Sequence, residues 1–333
     1  MSILPKFGEA MKRILILGGA GQDGKFLGDI LNSRPDVELT ISTRKVLGQT
    51  SPNFVKNARY IQLDISNQEE MIAAVRTINP NVIVNLASIS SVIECEKKPE
   101  LSRLINEFSP IKIIELLEEK YKDQVLFIQA SSSEMYSNSE TRTINEESKT
   151  APNNQYGWQK ASVHNEIIQR QKNGERVASL VYFNHESILR STSFVSRKII
   201  SSAVLISKGL QDKLVLGNLM STRDWGYAGD YMYATSLVID SNLPSNYVIG
   251  SGELHSILDF CKKAFECAGI FDLEPWLDVD PNLVRQNDSI GLVADTSKIG
   301  SDLGWKPTKN FDILIEDMFK LECDLIYKNE GIL

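Results

Sequence analysis

This 333-residue chain has no excess of positive charge, no paired cysteines and no long apolar run, and each absence removes a class of function. Lys and Arg number 36 against 43 Asp and Glu, a net charge of −7, so neither nucleic acid nor an anionic membrane is expected as the main partner. A small anionic ligand stays open, because that needs only a local cationic pocket. The four cysteines (Cys95, Cys261, Cys267, Cys323) form no Cys-x-x-Cys pair, which argues against a zinc site and a disulfide framework. Three histidines, His164, His185 and His255, are too scattered to suggest a metal site. No stretch approaches the roughly 18 uninterrupted apolar residues of a membrane span. Residues 1–10 lack the cationic start and apolar core of a signal peptide, so a cytoplasmic protein is expected.

What is present is a full globular composition, 42% hydrophobic and 24% charged, long enough for one large domain or a large domain with a smaller one. Short apolar runs at 12–17, 38–42, 60–63, 82–86, 125–129 and 177–182 alternate with helical patterns at 24–33, 67–78, 101–120 and 155–173. Most of these runs lack strict alternation, as strands buried on both faces do. The expectation is an α/β fold, a doubly wound parallel sheet covered on both sides, over residues 11–183. After about residue 183 the rhythm changes, with helices at 194–208, 256–268 and 311–322 and a short strand at 213–216. Residues 184–333 therefore read as a smaller α+β lobe that would take the substrate, with an approximate boundary and the two lobes interleaved. The turn-rich piece 137–155 reads as a loop at the mouth of the site.

The first strand runs into Gly18-Gly19-Ala20-Gly21-Gln22-Asp23-Gly24. Glycines let backbone approach a pyrophosphate, and the following helix start supplies N–H groups and a positive dipole end. Arg44 and Lys45 follow the second strand, where NAD-binding folds usually place an acid for the ribose 2′-OH. Two cations there suit a 2′-phosphate and favour NADP over NAD, with a solvated surface pair as the plain alternative. Asp64, with Ile65 beside it, ends the third strand and is placed either to accept from an adenine amino group or to shape a turn. Leu86 and Ser88 end the fourth strand, where small neighbours let a cofactor pass.

Tyr156 and Lys160 stand four apart and share one helix face. A lysine there, beside an oxidised nicotinamide, lowers the tyrosine pKa. Holding a tyrosine ionised near neutrality requires roughly 4 kcal/mol from its surroundings. Such a tyrosinate removes a hydroxyl proton as the carbon loses hydride, and Ser132 is placed to bond the same hydroxyl. Glu134 adds a second ability, removal of a C–H proton next to the new ketone. Oxidoreduction needs only the first ability, whereas elimination of water needs both.

Together these residues resemble the nucleotide-sugar group of the extended short-chain dehydrogenase/reductase family, and within it the GDP-mannose 4,6-dehydratases, over residues 12–320. The blocks that carry the resemblance are Gly21 to Gly24, Ala130 to Tyr136, Phe183-Asn184-His185-Glu186-Ser187, Phe194 to Ile199, Leu216 to Leu219, Arg223-Asp224-Trp225-Gly226, Asp280-Pro281 with Arg285, and Gly304-Trp305-Lys306-Pro307. The resemblance implies that Asn184, Lys198, Arg223 and Arg285 hold a nucleotide diphosphate, with Ser88 and Ser132 at the sugar. It puts His185 near the nicotinamide, although an ordinary structural histidine fits as well. It also implies a homodimer or homotetramer acting on a GDP-linked sugar. The chain departs from the family at Ile188-Leu189-Arg190-Ser191, where the family has Pro-Arg-Arg-Gly, a stretch expected to touch the sugar pocket and a subunit contact. Ser133 stands where the related dTDP-glucose dehydratases carry an aspartate. The alternatives are a dehydratase of another GDP-sugar (N-acetylglucosamine or a heptose), an epimerase or reductase using Tyr156 and Lys160 alone, and a catalytically silent dinucleotide-binding regulator.

Overall fold

The computed structural model describes residues 11–45, 48, 51, 53–121, 124–284 and 291–329. Seven strands form the central sheet: β1 (Lys12–Leu17), β2 (Val37–Thr43), β3 (Arg59–Gln62), β4 (Val82–Asn85), β5 (Leu126–Ser132), β6 (Val177–Tyr182) and β7 (Tyr247–Ile249). Their order across the sheet is β7-β6-β5-β4-β1-β2-β3, and every neighbouring pair is parallel. Chain order reverses between β1 and β4, so the carboxyl ends of these two strands flank a crevice of the kind that accepts ligands in open α/β sheets.

The continuous apolar runs split cleanly between the two faces. Ile14 and Ile16 of β1 enter one core with Val82, Val84, Leu126 and Ile128, while Leu15 and Leu17 enter the other with Ile83 and Phe127. A side-chain period of two turns an apolar run into two buried faces. Helices α1 (Gln22–Asn32), α2 (Gln68–Ile78), α3 (Ser109–Tyr121) and α4 (Gln155–Lys172) cover those faces. A third core lies in the C-terminal part, where α5 (Val195–Ser207), α7 (Ile257–Cys267) and α8 (Phe311–Asn329) pack around Trp225, Phe260, Phe311 and Ile315.

Two features depart from the sequence expectation. The helix expected over 101–120 is broken into Pro99–Arg103, a π-helical turn Leu104–Phe108, and α3. Pro110 cannot donate to the carbonyl of Asn106, and Ser109 instead donates to Leu104, one residue wider than an α-helical bond. The second departure is a return of the chain to the sheet. Helix α6 (Ala228–Ser241) packs Tyr231, Met232 and Val238 into the same core as Leu27 and Leu31 of α1, and β7 then pairs beside β6. Residues 228–249, expected in the second lobe, complete the first.

Candidate active site

The carboxyl end of β5 and the start of α4 meet at one corner. Ser132 is the last residue of β5, and Ser133–Tyr136 form a single 3-10 turn that carries Glu134. The Ser132 hydroxyl accepts from the Glu134 backbone N–H at 3.3 Å, capping that turn. Tyr156 and Lys160 lie one turn apart in α4, both buried. The hydroxyls of Ser132 and Ser88 lie beside the Tyr156 hydroxyl and favour its ionised form. Burial pushes the tyrosine pKa up to about 12, and these two hydroxyls offset only part of the rise. Burial pushes Lys160 the other way, down to about 8. Its Nζ donates to the Ala130 carbonyl at 2.8 Å and lies 5.7 Å from the centre of the Tyr156 ring. In the protein alone desolvation dominates and the tyrosine is neutral, whereas the expected tyrosinate belongs to the protein with an oxidised nicotinamide bound. Ionising it needs a further positive charge beside the hydroxyl.

Ser88 is held by the π-helical turn. Its hydroxyl donates to Asn106 Oδ1 at 3.0 Å, and the same oxygen takes the Ile89 N–H at 2.9 Å. The Asn106 amide donates to the Ile89 carbonyl at 3.0 Å and to Gln159 of α4 at 2.8 Å. Asn106 and Asn154 were both missed from sequence. Asn154 had a visible signal, a capping residue type just before a helical pattern. Asn106 had little, because it reaches the site only through the widened turn.

The crevice at β1 fits the dinucleotide half of a nicotinamide cofactor. Gly18 has φ +75°, and a side chain there would run into Ala87 at 2.4 Å, so the loop after β1 packs directly on the loop after β4. Gly21 caps α1 with no side-chain hydrogen bond, and a Cβ at Gly21 would meet nothing within 4 Å. The side-chain face of Gly21 is therefore open, which leaves room for a pyrophosphate at the N-terminus of α1. Gly24 sits in the first turn of α1. Arg44 and Lys45 are exposed at the end of β2. Asp64 Oδ1 takes both the backbone N–H (2.9 Å) and the hydroxyl (2.7 Å) of Ser66, the turn-shaping role, with its second oxygen left for a ligand. The Ile65 side chain is buried in a core and its carbonyl accepts from the Ser109 hydroxyl, which leaves its backbone N–H as the group that could meet a ligand. Leu86 packs against the other core at the end of β4.

The side chains of Gln22 and Asp23 tie the glycine loop to residues 184–187. Gln22 donates to the His185 carbonyl at 2.9 Å and accepts from the Ser187 hydroxyl at 2.8 Å. His185 Nε2 meets Asp23 Oδ2 at 3.1 Å, while its Nδ1 meets the Phe183 carbonyl at 2.8 Å and its ring stacks on Tyr231. Both oxygens can only accept, so both ring nitrogens donate and the imidazole is the cation. Burial alone would push His185 down, but the Asp23 charge and hydrogen bond hold its pKa above the ordinary value. Asp23 is likewise held below the carboxylate range: burial opposes this, and His185 and then Arg190 overcome it.

On the substrate side, Glu134 lines one small cleft, of about 10 Å³, with Ser133, Ser137, Asn184 and Arg223. Arg223 also donates to the Thr222 carbonyl at 2.7 Å. Beside it, buried Asp224 collects backbone N–H groups from Ser251, Gly252 and Ala294 and fixes this wall of the cleft. Lys198 does not line the cleft, and its Nζ donates to the Val215 carbonyl at 2.6 Å. Arg285 lies outside the described residues. Ile188 and Leu189 line a different cavity of about 310 Å³, between α1, Tyr227 and α8, rather than the cleft at Glu134.

A family model described as GDP-mannose 4,6 dehydratase matches residues 15–318. GDP-mannose 4,6 dehydratase 2 of Arabidopsis thaliana is 29% identical over 339 residues, spanning 98% of this chain and 90% of that protein. The GDP-mannose 4,6 dehydratase of Drosophila melanogaster is 29% identical over 351 residues, spanning 96% and 88%. Among solved structures, dTDP-glucose 4,6-dehydratase from Bacillus anthracis in complex with NAD superposes with a TM-score of 0.79 at 20% identity, covering 96% of this chain and 98% of that one. RMD from Pseudomonas aeruginosa complexed with NADPH gives 0.75 at 19% identity, covering 94% and 99%. At those identities the structural likeness establishes the Rossmann-type fold. The match over nearly the whole chain goes further, and the chain belongs to the GDP-mannose 4,6 dehydratase family, and so to the nucleotide-sugar 4,6-dehydratases, which are hydro-lyases.

Proposed function

We propose that the protein removes water from a GDP-linked hexose, GDP-mannose, to give the 4-keto-6-deoxy sugar, using NADP. The observation that carries this reading is the shared cleft: Glu134, two residues beyond Ser132 and beside the helix of Tyr156, faces the same space as Asn184 and Arg223. A base next to the tyrosine is what elimination adds to simple alcohol oxidation. The family match and the names of the relatives support the choice of sugar. The cationic end of β2 at Arg44 and Lys45 supports NADP, and neighbours of the same fold bind NAD or NADPH. Exposed Phe108 and Trp158, on adjoining helical elements, fit a homodimer or homotetramer.

A bound nicotinamide supplies the hydride acceptor for C4, the hydride for C6 and, when oxidised, a positive charge. Tyr156 takes the C4 hydroxyl proton, with the Ser132 and Ser88 hydroxyls beside it to bond the same substrate oxygen in turn. The protonated Lys160 lends positive potential from the next turn of α4. The C4 ketone acidifies C5–H, and Glu134 removes that proton. Ser133 carries no acid, so Glu134 returns the proton to the departing C6 hydroxyl and water leaves. With the hydride supplied to C6, C5 would take a proton from solvent and Tyr156 would release the C4 hydroxyl proton to solvent, so the net change is the loss of one water.

The test is a panel of GDP-, CDP- and UDP-sugars followed by mass spectrometry. Loss of one water from GDP-mannose in preference to the rest is expected. No dehydrated product from any of them would sink the dehydratase reading, and preference for a different sugar would sink the choice of mannose.

A further inference from the structure

Asn154 is not part of the reaction described above, yet its side chain touches both Glu134 and the first turn of α4. It is the N-cap of α4, and it is buried. Its Oδ1 accepts the Gly157 backbone N–H at 2.9 Å, closing the first turn of the helix that carries Tyr156. Its Nδ2 donates to Glu134 Oε2 at 2.9 Å. The second Nδ2 hydrogen goes to Asn153 Oδ1 at 3.0 Å, and that oxygen takes the Ser137 hydroxyl at 2.7 Å. The amide cannot be turned round, because its oxygen is needed by a backbone N–H and its nitrogen by a carboxylate.

Backbone packing brings the same two pieces together independently. A Cβ at Gly157 would lie 2.5 Å from the Glu134 carbonyl oxygen, so only a glycine lets the first turn of α4 press against the turn bearing Glu134. The Ala151 N–H also reaches Met135 at 2.8 Å, pinning the approach to the helix onto that turn.

We propose that Asn154 is a positioning residue that sets the Glu134 carboxylate relative to the Tyr156 hydroxyl, so that C5–H is within reach once C4 has been oxidised. This rests on Glu134 being the base of the dehydratase reading. Only asparagine carries both the acceptor for the cap and the donor for the carboxylate on so short a side chain. Serine and aspartate keep the cap, but serine has no donor that reaches Glu134 and aspartate sets a second carboxylate against it.

The experiment compares wild type, Asn154→Ser and Asn154→Asp in heavy water with GDP-mannose and NADP. It follows deuterium entering C5, the ultraviolet absorbance of reduced nicotinamide, and the melting of each protein without ligands. Both variants are expected to melt close to wild type, because the cap survives. C5 exchange is expected to fall roughly 10- to 100-fold, the size of a lost hydrogen bond to a charged group, and more in the aspartate variant. Oxidation at C4 should persist, so reduced nicotinamide accumulates. Wild-type rates of C5 exchange in either variant would overturn the proposal. So would parallel loss of C4 oxidation, or collapse of folding in both, since Asn154 would then be a structural cap alone. A wild-type protein that gives no exchange and no dehydrated product points instead to failure of the dehydratase reading.

Discussion

The catalytic corner and the substrate wall of this molecule are built in opposite ways. Ser132, Glu134, Tyr156 and Lys160 come from two elements, β5 with its following turn and α4, and their spacing follows strand and helix geometry. Asn184 and Arg223 come from short strands that find each other only in three dimensions: Asn184 pairs with Trp225, and Arg223 with His255. The corner is held from beneath by buried polar bonds, whereas the wall hangs on Asp224 and backbone amides. A corner set by regular elements tolerates sequence change elsewhere. A wall set by irregular pairing is where one family can change its substrate.

That contrast predicts effects of different kind and size. Glu134→Gln keeps the shape of the corner and removes the base. Product formation should fall on the order of 10³-fold while C4 oxidation continues, as followed by reduced nicotinamide. Arg223→Ala should act on binding, raising KM roughly 10- to 100-fold with kcat changed far less. Lys198→Ala should raise KM only about threefold, because that ammonium is committed to Val215. Equal effects of the two cations on KM would erase the distinction drawn between them.

Two predictions concern stability. Lys160 is a buried cation whose pKa is pushed down to about 8. The unfolded chain therefore binds more protons between about pH 8 and 10.4, and this residue makes wild-type stability rise with pH across that window. Lys160→Met should remove that rise, stabilise the fold by about 1–3 kcal/mol at neutral pH, and abolish turnover, as checked by denaturant melts and assay. The clamp between the glycine loop and residues 184–187 behaves oppositely. His185 is raised, so its contribution is complete below its unfolded pKa of about 6.5 and disappears as pH rises through the folded value. Asp23 is lowered, so its contribution holds above about 3.9 and disappears as pH falls through its folded value. His185→Gln should accordingly cost about 1–3 kcal/mol near pH 6 and less at alkaline pH. A penalty independent of pH would show that the ring matters for its stacking on Tyr231 and not for its charge.

The same contrast explains what could be seen from residues alone. β1 and β6 were placed to the residue because apolar runs between glycine or polar breaks have sharp edges. β7 went unseen because Tyr247–Ile249 is too short to show a period, and it is a strand only because β6 offers it an edge. The break at 104–108 was invisible because a π turn depends on which carbonyls find donors, although Pro110 was there to be read. The place of Gln22 and Asp23 in the glycine loop is legible, but their side-chain partners, His185 and Ser187, are some 160 residues away in sequence and are not. The tyrosine and lysine were found by spacing, but their protonation depends on burial, which spacing does not report.

The central claim is that the Glu134 corner couples oxidation at C4 to loss of water from C6. The most direct measurement is a single incubation of the protein with GDP-mannose and catalytic NADP in heavy water, read by mass spectrometry and NMR of the sugar. The account predicts a product lacking one water, with deuterium at C5, hydride from C4 now at C6, and no net reduction of the cofactor. A hexose that keeps its C6 hydroxyl, whether epimerised at C4 or left as a ketone with an equivalent of reduced cofactor, would contradict it.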